Sequence, residues 1–297
     1  MMLSSLRQAP STHFSAMPPV VQFNRIVLAL CGIGVLIFLC LPVLIVVPMS
    51  FSSSTSLRFP PEGFSMRWYA QVFADPRWVR AMQTSLVLAL LSSTLALVLG
   101  GLAAYGLTRG RFAGRMTIQS NFISPLIIPS VITAVALYFA LAHIGMLGSF
   151  VGLLLGHTLL GVPYVVLIMS VAIRGFDRRI EQVAFTLGAS WFTMARRVLI
   201  PNLLPSTAAA WIFAFVTSFD EVVITSFIAG THETVPKRMF NDLVMQVNPS
   251  ITAIATLLIG VSLALMALAA ALRRTKLAAP PSAPEVRPPV QLLRQQP

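Results

Sequence analysis

The sequence predicts an all-α membrane protein with six transmembrane helices, and three observations carry that prediction. Hydrophobic residues fill 56% of the 297 positions and charged residues only 10%, where a soluble chain carries about 25% charge. Mean hydropathy is +0.82. The uncharged residues gather in the stretches 26–57, 81–108, 116–173, 198–219 and 243–272, and the net charge of +12 is confined to one set of connections between them. Such a chain cannot clothe a water-facing surface. A soluble enzyme, a disordered protein and a disulfide scaffold are excluded.

A membrane helix needs about 20 apolar residues, and the spans follow in order. Residues 1–25 carry Pro and Ser without periodicity, which predicts a flexible segment. The first span is 26–49. It exceeds the 7–15-residue apolar core of a cleavable signal and no A-x-A-like site follows, so it reads as a signal anchor. Its Cys31 and Cys40 sit nine residues apart, on opposite faces of a helix, and cannot pair with each other. The connection 58–80 holds Trp68, Tyr69 and Trp78, residue types of an interfacial aromatic belt. The second span is 83–107. The 58-residue stretch 116–173 is too long for one crossing, and the sequence from His143 to Gly148 divides it into spans 118–142 and 149–173.

Gly152 and Gly156 form a G-x-x-x-G in the fourth span, which permits close helix approach. Pro42, Pro125, Pro129 and Pro163 fall within spans. Each removes a backbone donor and crowds the carbonyl four residues back, giving either simple kinks or broken helices that line a path. The fifth and sixth spans are 203–228 and 251–272. The six-helix unit is expected over 26–275, with a second flexible tail at 276–297.

Fifteen of the twenty-one basic residues lie in the N-terminal segment, the 108–117 loop, the 174–201 loop and the C-terminal tail, against three acids. The opposite face holds six basic residues and six acids. The whole excess is therefore one-sided, which by the positive-inside rule places that face and both termini in the cytoplasm of a multi-pass inner-membrane protein. Nucleic acid is not needed to explain the charge, and no nucleic-acid partner is expected.

The 174–201 connection is unusual, since helix–helix loops run about 2–8 residues. This one is 28 residues, charged and patterned. Ile180, Val183, Ala184 and Leu187 recur at helical spacing. Gly188 permits a turn that other residues resist, and Ser190 can cap a second short helix beginning at Trp191. Pro201 ends the pattern. A bent helical element on a membrane face is either a rigid knob for a partner or an interfacial element held by anionic lipid.

The run Glu181-Gln182-Val183-Ala184-Phe185-Thr186-Leu187-Gly188-Ala189-Ser190, with Phe192 and Arg196-Arg197-Val198-Leu199-Ile200-Pro201 after it, resembles the E-A-A loop of binding-protein-dependent ABC importer permeases. It departs from the pattern at Gln182. The resemblance covers about residues 80–272. It implies the type I importer permease fold, in which this loop is a coupling helix docking into a separate ATPase subunit. It assigns docking to Glu181, Ala184, Gly188, Arg196 and Pro201, with Glu181 as the charge contact, Ala184 packed beneath and Gly188 making the turn. The expected partners are ATPase subunits, a second permease subunit, a periplasmic substrate-binding protein and membrane lipid. The chain has no G-x-x-x-x-G-K-[ST] loop of its own, so no cofactor is expected on it; ATP and Mg belong to the partner ATPase. No nucleophile–base arrangement and no metal-ligand spacing is visible, so no enzyme site is expected.

Asp220 and Glu221 stand within the fifth span, where a charge near the bilayer centre costs on the order of 2.5–3.5 kcal/mol. Either they face a water-filled path or the helix ends near Phe219 and they sit at the outer interface. The segments Ser218–Phe227 and Val247–Leu258 are similar to polyamine (spermidine/putrescine) permeases, and acids along a path would attract a polycation. Permeases for opines or amino-acid derivatives look alike at this level. A different class, an ion-driven secondary carrier, would use Asp220 or Glu221 as a relay but has no use for the Glu–Gly knob. His157, alone in the fourth span, reads as a hydrogen-bonded interior histidine.

Overall fold

The computed structural model describes residues 19–245 and 249–277. Its helices are α1 (Pro19–Ser50), α2 (Arg67–Ala74), α3 (Pro76–Arg109), α4 (Arg115–Ile123), α5 (Ser130–His143), α6 (Phe150–Gly175), α7 (Arg178–Thr186), α8 (Trp191–Met194), α9 (Ile200–Asn202), α10 (Leu204–Phe219), α11 (Val223–Ile228), α12 (Val235–Met245) and α13 (Ser250–Leu277). A π-helical turn, Ala195–Leu199, joins α8 to α9. Four helices are long and apolar enough to cross a membrane, and two bent pairs raise the number to six if each pair is one span. The expected all-α, six-span architecture is therefore present.

Two spans are bent or broken, one of the outcomes the prolines and the acids left open. The third is bent by 104° between Arg115–Leu126 and Ser130–His143. Pro125 lies in a 3-10 turn and Pro129 stands just outside α5, where each lacks the donor that would continue the ladder. Pro42 and Pro163, by contrast, remain inside continuous helices. The fifth span is bent by 84° at Leu203 and stops at Phe219, so 203–228 is not one helix. Helix α1 begins at Pro19, inside the segment expected to be flexible, and α13 runs to Leu277. Residues 1–18 and 278–297, the rest of the two expected tails, lie outside the described residues.

Helices α3, α6 and α10 pack together at the centre. Small residues let them approach. A Cβ on Gly161 would lie 2.9 Å from Ala96 Cβ and 3.2 Å from Ala214 Cβ, and one on Gly100 would lie 2.8 Å from Val165 Cβ. Close backbone approach of this kind is how helices associate where lipid removes the hydrophobic drive between them. Of the G-x-x-x-G pair, Gly156 makes such a contact, toward Ile228 and Ile224 of α11. Gly152 instead fits beneath the Met146 carbonyl at the start of α6. Helix α1 packs on α13 and otherwise exposes an apolar surface, including Cys31 and Cys40.

On the face opposite the basic one, Trp68 and Trp78 are buried rather than spread as an interfacial belt. The Trp68 Nε1–H donates to the Ser52 carbonyl at 2.8 Å, and the Arg238 guanidinium lies 4.7 Å over the Trp78 ring. Tyr69 shares a 2.8 Å hydrogen bond with Ser50. A buried indole needs a partner for its N–H, and here the loop backbone supplies it for Trp68.

Candidate functional site

The docking loop is built from the end of α6 outward. Asp177 caps α7 by accepting from the Arg179 N–H at 2.9 Å. Gly188 follows α7 at φ +82°, a left-handed conformation that L side chains resist. Ser190 caps α8, accepting from the Thr193 N–H at 3.3 Å. The predicted bent pair of short helices is therefore present, with the predicted turn and cap.

The periodic apolar residues of α7 divide between an outward and an inward face. Ile180, Val183 and Leu187 are exposed, Leu187 by 82%, while Glu181 and Ala184 are buried. Ala184 belongs to the buried cluster that includes Met169, Ile173 and Met194. Glu181 is 3% exposed and fully engaged inside the chain. It accepts from Tyr105 Oη at 3.0 Å, from Arg109 Nε at 2.9 Å and from Arg109 Nη2. The same Nη2 donates to the Phe176 carbonyl at 2.8 Å. Glu181 is thus a staple between α7 and α3, not an outward charge contact. Tyr105 also meets the Trp191 ring edge-on at 5.8 Å. Arg196 is exposed and, with Trp191, Phe192 and Leu199, borders an apolar cleft of about 490 Å³. Pro201 lies in α9.

Tyr105 and Arg109 are absent from the sequence-based assignment. They stand four residues apart and so share one face of α3. Arg109 counted there only as a charge that orients the chain.

The second locus is the gap between α10 and α11. Helix α10 ends at Phe219, where the Asp220 N–H still bonds to the Val216 carbonyl. Glu221 Oε1 accepts from the Ile224 N–H at 2.8 Å and so caps α11. Asp220 is exposed, and its carboxylate has no hydrogen bond or ion pair among the described residues.

His157 fixes the depth of this gap. It lies seven residues inside α6 from Phe150, about 10 Å along the axis at 1.5 Å per residue. Its Nδ1 is 2.8 Å from Ser218 Oγ, one residue before the end of α10. Helix α11 then climbs toward the start of α6, where the Gly148 N–H donates to the Ile228 carbonyl at 3.1 Å. Helix α10 therefore does end near Phe219, yet the acids sit about 10 Å in from the end of the neighbouring helix that lies away from the basic face. The fifth span is a broken helix with its break inside the apolar bundle.

Such a chain, with a broken span carrying acids and a bent knob on a basic face, has relatives among known proteins. Residues 96–277 match the model of the binding-protein-dependent transport system inner membrane component. The chain belongs to that family. The permease is 33% identical over 238 residues to the spermidine/putrescine transport system permease protein PotC of Haemophilus influenzae, covering 80% of this chain and 92% of that one. It is 36% identical over 255 residues to the putrescine transport system permease protein PotI of Escherichia coli, covering 82% and 88%. Among solved structures it resembles a bacterial ABC transporter that imports the acidic polysaccharide alginate, with TM-score 0.65, 14% identity and 88% of this chain and 98% of that one covered. A second alginate transporter structure, in complex with a pentasaccharide-bound periplasmic protein, matches at TM-score 0.60 and 16% identity over 86% and 94%. The protein is a multi-pass permease subunit of an ABC importer, with the type I fold. That membership removes the ion-driven carrier.

Proposed function

We propose that the permease forms a path for a polyamine together with a second permease subunit, and that separate ATPase subunits drive it through the 174–201 loop. The substrate arrives from a periplasmic binding protein, and ATP and Mg stay with the ATPase. The basic face and both termini are placed in the cytoplasm, a reading that the one-sided charge supports. The observation that carries the substrate is Asp220, an unpaired carboxylate at a helix break inside the bundle. A fixed negative charge in a poorly screened groove favours a cation passing it. The polyamine names of the relatives point to the same class.

Docking rests on the outward apolar ridge. Leu187 is 82% and Phe192 66% exposed beside a bend fixed by Gly188. The exposed Arg196 flanks the ridge, and Pro201 closes the element on its way to α10. Exposed apolar side chains on an otherwise charged face mark a protein contact. Glu181 contributes by holding the ridge to α3, so a movement imposed on the knob is handed to a membrane-spanning helix.

The test is uptake of radiolabelled putrescine and spermidine into proteoliposomes holding the complete importer, with its binding protein supplied. Asp220→Asn is expected to lower uptake of both at least about tenfold, equivalent to about 1.4 kcal/mol. Uptake of a neutral solute in place of either amine would refute the substrate.

A further inference from the structure

We propose that His157 is a positioning residue that sets the geometry of the Asp220–Val222 break, and through it the acid pair; this rests on the reading of that break as part of the path. His157 is 1% exposed, and its ring is bonded on both sides of the break at once. Nδ1 lies 2.8 Å from Ser218 Oγ in α10, and Nε2 lies 2.9 Å from Thr225 Oγ1 in α11. Ser218 and Thr225 are themselves 4% and 0% exposed, so water does not serve them.

The proton directions are fixed by the ends of the chain of bonds. Thr225 donates its hydroxyl hydrogen to the Glu221 carbonyl at 3.1 Å, so it can only accept from the ring, and Nε2 must carry the hydrogen. Nδ1 then accepts from Ser218. Ser218 Oγ in turn accepts from Ser92 of α3 at 2.8 Å. One neutral tautomer satisfies every group from Ser92 to the Glu221 carbonyl. A buried polar group left without such a partner would cost about 1–3 kcal/mol, so the break is held where this chain of bonds closes.

The packing supports the same role. Helix α11 is tied to α6 by His157 at the acid end, and to the turn just before α6 by the Gly148–Ile228 bond at the other. Between them, Ile224 and Ile228 rest on Gly156, where a Cβ would lie 2.6 Å from Ile228 Cδ1. At the far end Gly230 takes φ +55°, and a Cβ there would stand 2.7 Å from Gly148 Cα. With one end fixed to α6 and the other to the turn that leads into it, the unwound residues between α10 and α11 have little freedom to shift the carboxylates.

The experiment uses the complete importer in proteoliposomes with its binding protein and radiolabelled putrescine. His157→Leu keeps the volume and removes both hydrogen bonds; His157→Gln keeps one acceptor and one donor. In the Leu variant, ATP hydrolysis is expected to stay within about twofold of wild type. Putrescine carried per ATP should fall at least about tenfold, since both buried hydrogen bonds of the ring are lost. The Gln variant should recover most of it. A loss of fold would lower both activities together.

A second arm needs no substrate. In a background with Cys31 and Cys40 replaced by Ser, labelling of Val222→Cys by a membrane-impermeant maleimide should change at least about fivefold in rate when His157→Leu is added, and not with His157→Gln. Should the Leu variant fail to assemble, Ser218→Ala and Thr225→Val each cut one side of the bridge and are read the same way. Unchanged coupling and labelling in the Leu variant would overturn the proposal, as would equal impairment by Leu and Gln. If the wild-type importer carries no putrescine, the polyamine reading falls and the labelling arm alone judges His157.

Discussion

The two joints of this permease, at Glu181 and at His157, solve one mechanical problem with different chemistry. Each secures a non-helical bend to a long helix. At the basic face, Glu181 of α7 is clamped to α3 by a guanidinium and a phenol. Inside the bundle, the α10–α11 break is clamped to α6 by an imidazole between two hydroxyls. The first uses full charges and the second neutral groups. The difference follows from where water ends. A buried charge costs several kcal/mol unless its partner is close and well bonded, and a neutral hydrogen bond avoids that cost at depth. The charged clamp is a strong link for transmitting force; the neutral one holds a geometry without adding charge beside the carboxylates.

The comparison can be broken most directly at the charged end. Arg109→Ala leaves Glu181 buried without its counter-charge, with only the Tyr105 hydroxyl still donating to it, a loss expected to reach about 3–5 kcal/mol. Uptake should vanish, and thermal unfolding of the purified permease should fall. Replacing both together, Arg109→Met with Glu181→Leu, should recover most of the stability but not the uptake. Recovery of both would reduce the clamp to packing.

Leu187→Asp probes the outward side of the same joint. Leu187 is almost wholly exposed, so stability should change by less than about 0.5 kcal/mol. Co-purification with the ATPase should weaken by about 2 kcal/mol or more if the residue anchors the contact. An unaltered complex would detach the ridge from docking.

Gly188→Val forces a β-branched residue to φ +82°, where nothing within 4 Å would obstruct its Cβ. The cost is therefore conformational, about 1–2 kcal/mol. Gly188→Asn should be milder, since Asn tolerates that region. Equal effects of Val and Asn on unfolding temperature would point to a cause other than backbone strain.

The smallest effect belongs to the outer loops. Burial pushes the Asp75 carboxyl up, but the Arg77 hydrogen bonds and the charges of Arg77 and Arg238 outweigh it and hold the group below its ordinary value. A carboxyl so lowered stabilises the fold when ionised. Its contribution is present above the ordinary carboxylate value of 3.8 and is lost as pH falls through the lowered one. Between pH 5 and about pH 3 the unfolding temperature should drop slightly more for wild type than for Asp75→Asn. The opposite order would show that the ionised Asp75, which caps α3 by accepting from the Arg77 N–H at 2.8 Å, does not stabilise the fold.

Much of this was written in the chain itself. The lengths of the uncharged stretches set the spans, because lipid admits only helices whose backbone bonds close internally. The lopsided distribution of arginine distinguished one face from the other. Gly188 and Ser190 announced the bent element through backbone geometry that depends on neighbours in sequence alone. Other features were settled only by folding. Periodicity grouped Ile180, Val183, Ala184 and Leu187, but which of them meets core and which solvent depends on what stands opposite. Arg109, 72 residues away from Glu181, decided it. Likewise Ser92, His157, Ser218 and Thr225 are unremarkable polar residues along three separate spans. Only when α3, α6 and the broken fifth span pack together do they close into one line of hydrogen bonds, because low dielectric makes each of them costly to leave alone.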